Sequence, residues 1–241
     1  MQQHDPPLPP SQTLPTMDDL PSEDPGEPGV PDAFHIYQPQ LLRETFAPPH
    51  YSADEVFVAS DLNLYYEVRQ PLWHKQPDWF AVLGIPRLYE GQDLRWSYVL
   101  WQEGIAPHVI VELLSLGSEK EDLGQMLREV SQPPSKWEVY EQILRVPYYV
   151  VYDRYAERLR AFELAGSRYR ELELAERRIR LPELELGLGE WEGSYQGIER
   201  RWLRWYNRVG YWVPTPAERE QQRAERLAER LRAMGLDPDA A

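Results

Sequence analysis

The chain has 241 residues, 42% hydrophobic and 12% aromatic, enough for one substantial core with terminal extensions. No apolar run reaches the length of a membrane span, no basic-then-apolar leader opens the chain, and with no cysteine there is neither a disulfide framework nor a zinc–thiolate site. A formal charge of −14 argues against a broad electrostatic footprint for nucleic acid, and a cytoplasmic protein is the expectation.

The charge is unevenly spread. Residues 1–32 hold seven acids (Asp5, Asp18, Asp19, Glu23, Asp24, Glu27, Asp32) and no Lys or Arg, and removing those seven from −14 leaves −7 on the remainder. That remainder can still hold a local cationic cleft. Pro6-Pro7, Pro9-Pro10 and Pro25-Gly26 prevent helix or sheet, so residues 1–32 read as a disordered tail with polyproline-like pieces. Such a tail is either plainly solvated or a ligand for a proline-reading domain.

Leu41, Leu42 and Phe46 give residues 33–46 one apolar side, which predicts a short helix ended by Pro48-Pro49. Residues 55–66 read as two strand-like pieces with Asp61 and Asn63 between and within them, as ordinary turn or edge chemistry. Pro77-Asp78 opens a strand, Trp79-Phe80-Ala81-Val82-Leu83, closed by Gly84 and Pro86. Residues 87–104 read as a strand or extended arm whose Trp96, Tyr98, Val99 and Trp101 cover the sheet before a polar turn at Gln102-Glu103-Gly104.

The next run, from His108 to Ser115, organises the rest. It is β-branched and aliphatic apart from Glu112, and predicts a strand buried on both faces. Residues 115–135 are polar with a helical middle over 122–130. Lys136 then starts a helix in which Trp137, Tyr140, Ile143 and Leu144 recur at helical spacing, and Tyr148 to Asp153 is a further strand. Strand, crossover helix and strand form the βαβ pattern of parallel neighbours. Residues 158–164 and 169–174 predict a meander. The stretches 181–188 and 198–206 predict a β-rich or mixed addition that closes one side of the core, and Tyr211-Trp212-Val213 predicts a last strand. From Ala217 the chain predicts a charged surface helix with a narrow stripe of Leu227, Leu231 and Met234. The division is therefore a tail (1–32), a folded domain (33–216) and a helical tail (217–241).

An ionised Glu inside an apolar strand is costly unless its charge is compensated. Asp78 and Glu112 at neighbouring points of one sheet could supply two oxygen ligands to a hard divalent ion, with the Leu113 carbonyl as a third. Only three of the 26 basic residues are Lys (Lys75, Lys120, Lys136), and Lys136 follows the Glu112 strand, where it could orient a water or hold a phosphate. The plainer alternatives are a turn residue after proline for Asp78 and an edge residue facing water for Glu112. Gly187-x-Gly189 opens no helix, the five His show no ligand spacing, and Ser115 lacks the surroundings of a nucleophile. Trp96, Trp101, Trp202 and Trp205 could stack on bases, although large aromatics usually fill cores.

Residues from about Phe57 to Tyr211 resemble the putative restriction endonuclease family abundant in cyanobacteria, a branch of the PD-(D/E)XK nuclease superfamily. The matching pieces are Pro77-Asp78 through Val82-Leu83-Gly84, Trp101-Gln102-Glu103-Gly104, Pro107 to Val109, and Val111-Glu112-Leu113-Leu114-Ser115. They continue with Lys136 and Tyr140, Arg145-Val146-Pro147-Tyr148-Tyr149 to Asp153, Trp202-Leu203-Arg204-Trp205, and Pro214-Thr215-Pro216-Ala217-Glu218. The resemblance implies an α/β (α+β) fold, a mixed restriction-endonuclease-like sheet flanked by helices. It also implies that Asp78 and Glu112 bind Mg²⁺ or Mn²⁺ for hydrolysis of DNA phosphodiester bonds, with no membrane partner and a homodimer left open. The superfamily's lysine two residues after the second acid is replaced here by Leu114; the family's lysine from the next helix corresponds to Lys136. Residues 125–134 read as an insertion before it. The rival expectation is a nuclease-fold protein that no longer cleaves and serves as a binding or regulatory module. A scaffold defined by the two tails is a third.

Overall fold

The computed structural model describes residues 13–16, 19, 33–114, 123, 133–234 and 237. Helix α1 (Phe34–Thr45) comes first, one residue shorter at each end than the sequence predicts. Strands β1 (Val56–Ala59) and β2 (Leu64–Tyr65) are the two expected pieces, followed by β3 (His74–Lys75) and β4 (Trp79–Leu83). The expected arm over 87–104 is instead a short strand, β5 (Tyr98–Val99), running into helix α2 (Leu100–Glu103), which Gly104 ends at φ 77°. Nor does Trp96 cover the sheet. Its neighbour Arg95 turns inward, forking onto Glu103 at 2.7 and 3.0 Å and onto the carbonyls of Pro86 and Arg87, and alternation leaves Trp96 54% exposed.

Strand β6 (Val109–Leu113) precedes helix α3 (Lys136–Glu138), which continues as a π-helical turn over Val139–Ile143. The remaining strands are β7 (Tyr148–Asp153), β8 (Arg158–Ala165), β9 (Arg168–Glu171), β10 (Arg178–Leu181), β11 (Leu186–Tyr195) and β12 (Ile198–Asn207). The chain continues to helix α4 (Pro216–Ala233), capped by the Thr215 hydroxyl and with no buried residue. The strand expected at Tyr211-Trp212-Val213 is reduced to a single bridge from Trp212 to Tyr206, and the Val213 carbonyl accepts from the Arg204 guanidinium rather than from a further strand N–H. The helix expected over 122–130 and the insertion over 125–134 lie outside the described residues, apart from Leu123, Pro133 and Pro134.

The main sheet has six strands in the order β1-β4-β6-β7-β8-β9, and β6 and β7 are its parallel pair. All its other pairings are antiparallel. The fold is thus mixed α+β. Alternation divides β6 cleanly. Val109, Val111 and Leu113 face a core formed with α1 (Phe34, Leu41, Leu42) and with the second sheet β10-β11-β12, whose Trp202 and Trp205 are fully buried. A sheet therefore covers much of the face where helices were expected. Ile110 and Leu114 face the other core, with Phe80, Val82, Tyr98, Val139, Tyr140 and Tyr149. Glu112, between Ile110 and Leu114 in the alternation, belongs to this second face. A third sheet, β3-β2-β5, stands beside it.

Candidate active site

The β4–β6 register decides where the two acids stand. Trp79 pairs with Val111 and Phe80 with Ile110, so one step further Asp78 falls opposite Glu112. Residues opposite each other across a ladder project to the same face. The carboxylates accordingly share a face, which is the requirement for sharing an ion.

Asp78 is tied into the sheet through its side chain. The ladder partner for the Leu113 N–H would be at Pro77, where β4 has not yet begun, and Asp78 Oδ2 takes its place by accepting that N–H at 2.5 Å. The Leu113 carbonyl, expected as a third ion ligand, meets His35 Nε2 of α1 at 3.0 Å instead. Two side chains thus satisfy the last residue of β6.

Glu112 is fully buried, and both oxygens have donors. Lys136 Nζ donates to Oε2 at 3.0 Å and the Tyr140 hydroxyl to Oε1 at 2.7 Å; a longer bond of 3.5 Å runs from the Asp78 N–H to Oε2. This answers the cost of the buried charge with one cation and one hydroxyl. The local sequence explains the delivery. Ser135 caps α3 in a capping box with Glu138, placing Lys136 at its first residue. One residue past α3 the helix widens, Leu144 N–H reaching the Val139 carbonyl at 2.8 Å, and Tyr140 lies inside that π turn. Glu141 anchors the turn from behind, accepting from the Tyr169 N–H at 2.8 Å and from Arg168 at 2.9 Å.

Asp61 lies close enough for its charge to be felt by Glu112. Asp61 sits at φ 49° between β1 and β2, a left-handed position Asp tolerates. Its N–H donates to the Pro77 carbonyl at 3.0 Å, and Gln76 donates to its carbonyl at 2.8 Å, which stitches its turn to the residues before Asp78. Burial pushes its carboxyl up to about 6 from 3.8; His35 and Lys136 oppose that rise and Glu112 adds to it. Sequence reasoning took Asp61 for turn chemistry. No spacing could have revealed it, because the hairpin of β2 and β3 brings it back to Asp78.

No group of three or more His, Asp or Glu side chains that could together hold a metal ion exists among the described residues. What remains is a pair of carboxylates facing one side, with a lysine against one of them. Such an all-oxygen set suits Mg²⁺ or Mn²⁺, which keep several waters and need only one or two carboxylates. The donor chemistry fits such an ion.

No helix among the described residues is long and apolar enough to cross a membrane. Compared with known families, the chain matches the family described as "Putative restriction endonuclease" (Uma2) over residues 28–195. No curated protein matches it.

Proposed function

We propose that this chain, which belongs to the Uma2 family of putative restriction endonucleases, is a divalent-metal-dependent endonuclease that hydrolyses DNA phosphodiester bonds in the cytoplasm. The observation that carries the reading is the meeting of Lys136 with Glu112 at 3.0 Å, at the point of the sheet where Asp78 stands opposite. Asp78 and Glu112 would hold Mg²⁺ or Mn²⁺, which when bound lowers the pKa of a water and neutralises charge on the phosphate. Lys136 supplies a point charge for the attacking water or the phosphate. Tyr140 holds Glu112 in its rotamer, and the Asp78 bond to the Leu113 N–H fixes the separation of the two acids.

One observation favours the non-cleaving alternative. Both Glu112 oxygens already carry donors, so an ion would have to compete with Lys136 and Tyr140 for this carboxylate. Incubating supercoiled plasmid with the protein and Mg²⁺ or Mn²⁺, beside Asp78→Asn and Glu112→Gln variants, separates the two. Cleavage by the parent that both variants lose supports the nuclease. An inert parent, or equal cleavage by all three, rejects it and leaves the binding module.

A further inference from the structure

Trp101, the second residue of α2, donates its indole N–H to the carbonyl of Pro15 at 2.9 Å, across 86 positions of sequence. The contact lies where Trp101 and Tyr89 pack on the fully buried Tyr65 and Val99 of the small sheet. Tyr89 is fixed by a hydrogen bond from Gln102 to its hydroxyl and by a bridge to Asp93. Beyond Pro15 the chain turns on itself. The N–H and hydroxyl of Thr16 both donate to the Asp19 carboxylate at 3.0 Å, and the Asp19 N–H returns to the Thr16 carbonyl at 3.1 Å.

An indole N–H aimed at a carbonyl of a proline-containing segment, beside a tyrosine ring, is the chemistry of proline-reading grooves. Proline carries no N–H and costs little entropy to order, so the carbonyl is its polar handle and the ring its apolar one. We propose that the face formed by Tyr89 and Trp101 is a binding site for a proline-containing segment, and that its occupant is residues 13–16 of the same chain. The site does not depend on the nuclease reading. It does share a frame with the acids, because β2 starts three residues after Asp61 and β3 ends three residues before Asp78. Seating Pro15 there ties an acidic segment to the sheet that leads into both.

The chain has no cysteine, so Ser11→Cys in the full-length protein accepts a single nitroxide. The expected result is loss of most of the NMR intensity of the Trp101 indole N–H and of the Tyr65 and Val99 amides. Trp101→Phe, which keeps a ring and removes the donor, should restore the Tyr65 and Val99 signals. Pro15→Gly, outside the folded domain, should weaken the loss without affecting the fold. The proposal is overturned if the parent shows no loss, or if the loss persists in a folded Trp101→Phe protein and in Pro15→Gly. It is equally overturned if the loss arises only from a label on a second copy mixed with unlabelled chain, since the occupant would then come from another molecule.

Discussion

Asp78 and Glu112 stand opposite each other across two antiparallel strands, and each is also bound to the other's strand through a backbone N–H. Asp78 accepts the Leu113 N–H closely, at 2.5 Å, and Glu112 accepts the Asp78 N–H loosely, at 3.5 Å. The acids are therefore structural groups, and their substitutions separate that role from the proposed chemical one.

Asp78→Ala leaves the Leu113 N–H without its acceptor and should destabilise the fold by about 1–3 kcal/mol. Asp78→Asn keeps an acceptor oxygen and should cost less, while removing the charge an ion needs. Urea unfolding run beside plasmid cleavage should show both variants inactive and only the alanine variant clearly destabilised. Equal destabilisation would mean that the Leu113 bond contributes nothing.

Lys136→Met removes the cation from a carboxylate whose side chain is 1% exposed. Losing one partner of a fully buried pair costs roughly 3–5 kcal/mol, and the 19% exposure of Lys136 lowers the expectation to about 1–3 kcal/mol. Tyr140→Phe should cost about 1–2 kcal/mol for the lost hydroxyl. In a double-mutant cycle the two should be non-additive, because they share Glu112. Strict additivity would argue that they act on different groups.

Asp61 predicts a pH effect. Its folded carboxyl titrates near 6 against 3.8 without the fold, so the folded state holds the proton more tightly. Stability should therefore fall as pH rises between those two values, by about 1–2 kcal/mol once solvent screening of the partly exposed carboxyl is allowed for. Asp61→Asn should flatten that part of the profile and raise the melting temperature above pH 6, measured in EDTA so that no ion competes. An unchanged profile would show that the Asp61 carboxyl is not buried in solution.

His108 predicts the opposite slope. Burial lowers its pKa below 6.5, and its Nδ1 accepts the Leu83 N–H at 3.3 Å, which only the unprotonated nitrogen can do. The stability it contributes is present above 6.5 and lost as pH falls through the depressed folded value. His108→Gln should lessen the acid-side loss of stability, which equilibrium unfolding at a series of pH values would read.

Much of the candidate site was legible because its signals are local. An acid in an apolar run, an acid opening the neighbouring strand and a lysine opening the next helix are all visible in short windows, and the register and the α3 cap bring them together. The π turn was not visible, because Trp137, Tyr140, Ile143 and Leu144 satisfy ordinary helical spacing equally well. Trp96 was misread for a related reason. An aromatic in a strand-like run looks buried unless its neighbour's ion pair is known, and Arg95 finds Glu103 only through the turn into α2.

By itself the sequence determined the apolar centre of the sheet, the parallel pair around α3, and the three residues Asp78, Glu112 and Lys136 as candidates. Periodicity and the cost of a buried charge are properties of short stretches, so composition and spacing express them. Tertiary structure alone decided that Asp61 feels the charge of Glu112, that Tyr140 bonds Glu112, that His35 occupies the Leu113 carbonyl, and that Pro15 meets Trp101. Each of those joins side chains far apart in the chain through turns and register, which no local pattern encodes.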